Sequence, residues 1–342
     1  MAKQLITVDQ VEVKGKRVVV RVDWNVTFGK ALQIVDDTRI VRTLPTIRWI
    51  LEHGARQVIL MSHLGKSEEG RSIKPVVEYT EELLGEHIEL GETIQQINKL
   101  TNNVVMLENL RLWEGEERND PEFARQLASL GEIYVNEAFG ESHREVASIV
   151  GIPQYLPAYA GMWLHDEIET ILKVREKPER PFVVVMGGAK VEDKIKLIEV
   201  LSERADTILL GGKLANQYID ERREVRGGAR IVVPVEGSDL LDIGSATRRV
   251  YAEIIAKAKT IVWNGPMGKV EELQYRAGTQ AIYEVMNANV AAYTLVGGGD
   301  TLVAISQEAH LTRIDHVSTG GGAMLKLLES GTLPGIEALL HK

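Results

Sequence analysis

Short β-branched runs alternate with longer segments of helical period along nearly the whole of this chain. Arg17–Val22, Gln57–Met61, Val104–Leu107, Ile133–Val135, Phe182–Met186, Thr207–Leu210, Thr260–Trp263, Ala292–Val296 and Asp315–Val317 read as strands. Arg39–His53, Pro75–Leu84, Val191–Arg204 and Ala246–Lys257 carry apolar residues at helical spacing and read as helices. Strands that are apolar at consecutive positions and separated by helices predict parallel sheets covered on both faces, an α/β fold.

The strand ends carry the chemistry. They run into RVDWN, SHLGK, ENLR and VNEAFG in the first half, and into MGGAK, LGGK, WNGPMG, VGGGD and STGGGA in the second. Ligands of open parallel sheets sit outside the carboxyl ends of the strands, so these loops are expected to line one side of each sheet. Turn chemistry alone accounts for one or two such loops, and poorly for nine.

The halves differ in kind. Adjacent glycines occur only after residue 186, whereas the first half places Arg21, Arg39, His63, Lys66, Arg111, His143 and Arg144 at or beyond strand ends. Glycine after a strand lets the backbone approach a ligand and aim N–H groups at it, and a following helix adds partial positive charge. Four such loops suggest a nucleotide with several phosphates, with Lys190 and Lys194 one helical turn apart to neutralise them. Asp300 at a strand-to-helix junction suits an N-cap, a Mg²⁺ ligand, or both. Clustered cations in the first half call for a dianionic or trianionic ligand. Ala160–Val174 reads as a helix, and Pro178 and Pro181 follow it, which places a domain boundary near 170–180.

Composition narrows the classes. Among 342 residues there is no cysteine, which excludes disulfides, thiolate metal sites and a cysteine nucleophile. The formal charge of −9 argues against nucleic acid. Apolar runs fall short of the roughly 20 residues of a membrane span, and Met1–Gln10 has no signal-peptide pattern. A cytoplasmic protein is expected. Walker-type and G-x-G-x-x-G fingerprints are missing, which weighs against a dinucleotide-dependent oxidoreductase.

With these loops in order, the chain resembles the phosphoglycerate kinases from end to end. The resemblance rests on Arg21–Val26, Asp37–Arg39, Ser62–Gly65, Glu108–Arg111, Val135–Gly140, His143-Arg144, Gly187–Lys190, Asp193-Lys194, Asp242–Gly244, Trp263–Gly268, Gly297–Thr301 and Ser318–Gly322. It implies two Rossmann-like parallel-sheet domains joined by a helical hinge. The expected boundaries are 1–160 for an acid-binding domain, 161–176 for the hinge helix, 177–324 for a nucleotide-binding domain, and 325–342 packing back on the first. It implies reversible transfer between 1,3-bisphosphoglycerate with MgADP and 3-phosphoglycerate with MgATP, by a monomer.

The resemblance also implies roles. Asp23, Trp24, Asn25, Arg39, His63, Leu64, Gly65, Lys66, Arg111, His143 and Arg144 would bind the acid. Gly188, Ala189, Lys190, Lys194, Gly211, Gly212, Gly244, Asn264, Gly265, Met267, Glu271, Gly298, Gly299, Asp300 and Thr301 would bind the nucleotide, with Asp300 on Mg²⁺. Arg39, Lys190 and Gly321 would act on the phosphoryl group in flight. No general base is expected, because the nucleophile is already ionised at neutral pH.

Several positions depart from the family pattern. Lys66 and Ser67 stand where arginine and proline are usual, Val146 replaces a histidine, Lys213 a glycine and Val270 a phenylalanine. Only 29 residues separate Gly212 from Asp242, a stretch that is usually much longer and helps wall the adenine pocket. What remains is short and basic, with Arg222, Arg223, Arg226 and Arg230, so weakened base selectivity is expected. A catalytically silent relative that only binds these ligands is the alternative reading; the intact Arg39, Lys190, Lys194 and Asp300 weigh against it.

Overall fold

The computed structural model describes residues 5–29, 31, 33–188, 192–221, 225, 227–237, 240–298, 301 and 313–340. Ala189, Lys190, Gly299 and Asp300, together with Arg222, Arg223 and Arg226, lie outside the described residues. The chain divides into two compact units, Met1–Ile168 with Thr332–Lys342, and Glu169–Gly331.

In the first unit the strands are β1 (Arg17–Val22), β2 (Gln57–Met61), β3 (Ile88–Gly91), β4 (Val104–Leu107), β5 (Ile133–Glu137) and β6 (Ala158–Ala160). They form one parallel sheet in the order β3-β4-β2-β1-β5-β6. The helices are α1 (Thr38–Glu52), α2 (Lys74–Leu84), α3 (Ile94–Ile97), α4 (Glu114–Glu117), α5 (Pro121–Ala128) and the start of α6 (Met162–Glu176), which continues into the second unit. Their ends follow local chemistry. Pro75 occupies the first turn of α2, Gly85 closes it at φ 77°, and the Asp120 carboxylate accepts from Phe123 N at 2.8 Å to cap α5.

The second unit contains β7 (Phe182–Met186), β8 (Thr207–Leu210), β9 (Arg230–Val232), β10 (Thr260–Asn264), β11 (Tyr293–Gly297) and β12 (His316–Ser318). Its parallel sheet has the order β12-β11-β10-β7-β8-β9. The helices are α7 (Glu192–Ser202), α8 (Gly212–Asp220), α9 (Ser245–Ile255), α10 (Ala277–Ala288) and α11 (Gly321–Ser330). A last helix, α12 (Pro334–Leu339), belongs to the first unit, where Gly335 N donates to the Ser142 carbonyl at 2.8 Å.

Each unit has its own core. Val18, Val20, Val22, Leu60, Val104 and Val135 pack with Trp24, Ile40 and Ile47 in the first. In the second, Val183, Val185, Leu209, Ile261 and Trp263 pack with Tyr251 and Ile282. β2 and β7 are buried at all five positions, as strands covered on both faces must be. Three strands were not foreseen. β3, β6 and β9 are all edge strands of three or four residues, too short and mixed to stand out as apolar runs. The shortened stretch between Gly212 and Asp242 is also more structured than expected, since it still supplies α8 and the edge strand β9. Among the described residues, no helix is long and apolar enough to cross a membrane.

Candidate active site

Both strand orders contain a reversal. In the first unit the chain leaves β1 toward β2 on one side and returns to β5 on the other; in the second it does the same around β7, between β8 and β10. At such switch points the loops beyond neighbouring strands diverge and leave a crevice. Described candidates on the loops beyond β1, β2 and β5, and beyond β7, β8 and β10, lie at these points.

Beyond β1, β2 and β5, Asp23 is the anchor. Its Oδ2 accepts from Arg39 Nη1 at 2.9 Å, and its Oδ1 lies 4.0 Å from His63 Nδ1. Burial opposes the Asp23 charge, but Arg39, His63, Arg21 and the Asn25 amide outweigh it and hold the carboxyl below its usual value. Arg39 also donates to the Asn25 carbonyl at 3.3 Å, and Asn25 Oδ1 accepts from Gly65 N at 2.9 Å, tying the first two loops together. His63 is a correction to the expected cation patch. Burial and the facing Arg21, whose Nη2 is 3.3 Å from Nδ1, push it well below the usual histidine range despite Asp23, so it is neutral at pH 7.

The remaining arginines are paired within the unit. Arg111 bonds Glu117 and, at 3.0 Å, Glu141; Arg144 Nε lies 3.3 Å from Glu141, whose other near neighbour is His63 Nε2 at 3.7 Å. Fully buried Arg21 donates to Ser148 Oγ at 2.8 Å, and Ser148 donates on to Glu116 at 2.5 Å. The argument from uncompensated cations is thereby corrected: Glu117, Glu141 and Glu116 supply the countercharge. Sequence reasoning missed all three. Only the three-residue spacing of Glu141 and Arg144 hinted at a pair.

Other candidates sort by side chain and backbone. Trp24 is fully buried with its indole N–H donated to Thr43 at 3.0 Å, so only its backbone borders the loop. Leu64 is buried and both its backbone groups are taken by Asn109. Lys66 is exposed, 3.9 Å from Glu68. His143 is half-buried on the loop beyond β5. Val146 packs with Ala138 and Ile149 in a small apolar cluster, and Lys213 points to solvent.

In the second unit the glycine loops interlock. Gly187 N donates to the Asn264 carbonyl at 3.0 Å, Gly188 N to Pro266 at 2.9 Å, Gly211 N to Met186 at 2.9 Å and Gly212 N to Met267 at 2.9 Å. Gly265 N donates to buried Thr301 Oγ at 2.9 Å. The expectation that these amides aim at phosphates is corrected, since each is spent inside the unit. What glycine supplies here is close approach. A Cβ on Gly187 would lie 2.1 Å from the Pro266 carbonyl oxygen, and Gly265 (φ 92°) would strike Gly187. Lys194 Nζ reaches this knot, donating to the Gly187 carbonyl at 2.6 Å.

Asn264 Nδ2 bridges to the Gly297 carbonyl at 2.9 Å, buried Met267 donates its N–H to Thr279, and Gly321 packs against the backbone of Gly298 (φ 110°). Glu271 is exposed and Gly244 N-caps α9. Two further carboxylates organise this rim: Glu236, unnoticed in the sequence, and Asp242, quoted there only as part of a matched motif. Glu236 accepts from Ala246 N and Thr247 N on the first turn of α9, and Asp242 accepts from Gly278 N at 2.7 Å on the first turn of α10.

A family model described as phosphoglycerate kinase matches residues 8–234 and 229–331. The chain belongs to the phosphoglycerate kinase family. The phosphoglycerate kinase of Moorella thermoacetica is 40% identical to it over 398 aligned positions, covering 100% of both chains. That of Chloroflexus aggregans is 41% identical over 395 positions, covering 97% of this chain and 98% of its own. Among solved structures, phosphoglycerate kinase from Pyrococcus horikoshii OT3 superposes with a TM-score of 0.88 at 30% identity, covering 98% of each chain. The one from Coxiella burnetii gives 0.83 at 31%, covering 98% of this chain and 99% of its own. An alignment of 398 positions against 342 residues means that the Moorella phosphoglycerate kinase carries residues this chain lacks. The family match breaks at 229–234, within the shortened stretch.

Proposed function

We propose that this chain is an active phosphoglycerate kinase, moving a phosphoryl group reversibly between 1,3-bisphosphoglycerate and ADP in glycolysis and gluconeogenesis. The observation that carries the reading is the family match over 8–331, joined to a cation cluster at one switch point and a lysine-bearing glycine knot at the other. Asp23 and Asn25 hold the glycerate hydroxyl and carboxyl. Arg39, Arg111 and Arg144 receive the phosphate and carboxylate, with neutral His63 as a hydrogen-bonding partner. Leu64, Gly65, Lys66 and His143 border that site.

Gly188, Gly211, Gly212 and Gly244 border the adenine, Glu271 binds the ribose, and Lys194 with the Asn264–Met267 and Gly297–Thr301 loops surrounds the phosphates. Lys190 and Gly321 follow the phosphoryl group. The nucleotide carries Mg²⁺. A single carboxylate, Asp300, on a glycine loop suits a hard cation that takes most of its oxygens from phosphates. When bound, the ion neutralises charge on the transferred group.

In the direction of ATP formation a terminal oxygen of ADP attacks the acyl phosphate. The bond to the carboxyl oxygen breaks, and the acid leaves as a carboxylate. Neither nucleophile nor leaving group needs a proton moved, so catalysis rests on positioning and charge stabilisation. Transfer between ligands assigned to different units requires those units to approach and exclude water.

The test is a coupled assay of ATP-dependent 3-phosphoglycerate phosphorylation. Arg39→Ala and Lys190→Ala are each expected to lower turnover by about 10²–10³, as for other preorganised charge donors. No phosphate exchange with any purine nucleotide, or near-normal turnover in both variants, overturns the reading.

A further inference from the structure

One carboxylate in the first unit's cluster has no task in the reaction described above. Glu141 lies between the two matched motifs that end at Gly140 and resume at His143, and it is only 6% exposed. Its Oε2 accepts from Arg111 Nη2 at 3.0 Å, and its Oε1 lies 3.3 Å from Arg144 Nε and 3.7 Å from His63 Nε2. Three of the side chains assigned to the anionic acid therefore already surround an anion. That anion belongs to the protein.

The surroundings fix the electrostatics. Asp23 faces Glu141 as a like charge, while Arg21, Arg111 and Arg144 face it as opposite charges. Arg111 is shared with Glu117, Arg21 with the Ser148–Glu116 pair, and Arg39 with Asp23. Burial, and then Asp23, push the Glu141 carboxyl above its usual range against those three arginines. A phosphate or carboxylate arriving on Arg111 and Arg144 would be a second anion beside a buried first one. Two like charges at that range cannot both stay ionised at low cost.

We propose that Glu141 is a resident anion of the acid-binding patch: it occupies Arg111 and Arg144 in the substrate-free enzyme and takes up a proton when the acid binds. The inference rests on the acid-binding reading of the patch given above. Glu141 keeps buried arginines compensated, and it also competes with the ligand from within the same chain. Each unit by which the ligand raises the carboxyl is a tenfold loss of affinity at a pH where Glu141 starts ionised. Because binding takes up a proton, affinity for the acid falls as pH rises through the range where free Glu141 loses its proton.

A purely structural Glu141 predicts the reverse effect of mutation, since releasing Arg111 and Arg144 would loosen the patch. Glu141→Gln, which keeps the shape and an acceptor oxygen, is therefore titrated calorimetrically with 3-phosphoglycerate at pH 7.5. Binding about tenfold tighter than wild type is expected, one pKa unit of relieved competition. Unchanged or weaker binding in a variant with wild-type circular dichroism overturns the inference.

Should the variant fail to fold, wild-type protein and sulfate decide. Sulfate is a dianion across pH 5.5–8, so any trend at constant ionic strength belongs to the protein. Affinity falling with rising pH supports the proposal, and a flat profile refutes it. A wild-type protein that binds no 3-phosphoglycerate refutes the functional reading itself, whereas binding without the Glu141 effect refutes only this inference.

Discussion

Arg21 and Arg39 are alike in the sequence, each at or near one end of a predicted element and each followed by an apolar residue. Their surroundings separate them. Arg21 is wholly buried, its guanidinium divided among Ser148, the Val22 carbonyl and His63, with Glu116 beyond Ser148. Arg39 keeps about a third of its side chain exposed and bonds Asp23 at the mouth of the switch point. Replacing Arg21 by methionine leaves buried Glu116 without its cation and is expected to destabilise the fold by roughly 3–5 kcal/mol. Urea unfolding measures that loss, and Arg39→Ala should show much less of it while losing turnover. Residue types at strand ends are legible in a sequence because the fold's geometry sends them there. Countercharges such as Glu117 and Glu141 are not, because pairing depends on which loops the sheet brings together.

At the level of elements, the central strands and the buried edge strand β12 were legible, and the other edges, β3, β6 and β9, were not. A strand buried on both faces must be apolar at every position, as β2 is, whereas β9 with pattern Arg230-Ile231-Val232 keeps an exposed arginine. Helix ends were partly legible through proline and glycine, but caps supplied from distant segments were hidden. The clearest is at α6. Its first three amides, Met162, Trp163 and Leu164, are taken by Thr46 Oγ at 3.0 Å and by the two oxygens of Glu137 at 3.1 and 2.8 Å. Burial pushes the Glu137 carboxyl up to about 7, more than Thr46 and the two amides can offset.

That cap makes stability depend on pH. Between the ordinary carboxylate range and pH 7 the folded protein holds a proton on Glu137 that the unfolded chain has lost. Stability from this group is then full at low pH, declines as pH rises through that window, and levels off above it. Relative to Glu137→Gln, wild type should lose on the order of 3 kcal/mol between pH 5 and 8, read from urea midpoints at the two pH values. A parallel pH dependence in both proteins would remove Glu137 as the source.

At the level of the whole molecule, each of the two units has its own sheet and its own core, and the shortened crossing falls entirely in the second unit. Two of its described carboxylates are committed to helix ends, Glu236 to α9 and Asp242 to α10. A shorter crossing offers fewer groups to read a base edge in the proposed adenine pocket. Comparable kcat/KM for ATP and GTP, within about tenfold, is expected; a strong preference for ATP in steady-state assays would contradict it. The expectation of an acid-handling and a phosphate-handling half rests on where adjacent glycines begin. That the amides of Gly187, Gly188, Gly211 and Gly212 serve the fold was not legible, because a glycine needed for ligand access and one needed for backbone packing are spelled alike.

The return of α12 to the first unit has a consequence for how the protein is made. Gly335 and the buried Ile336 and Leu339 close against Ser142 and its neighbours only after the whole intervening unit has left the ribosome. The second unit therefore holds all of its own chain before the first does. Translation order and completion order are inverted, and the half synthesised earliest is the last to be sealed.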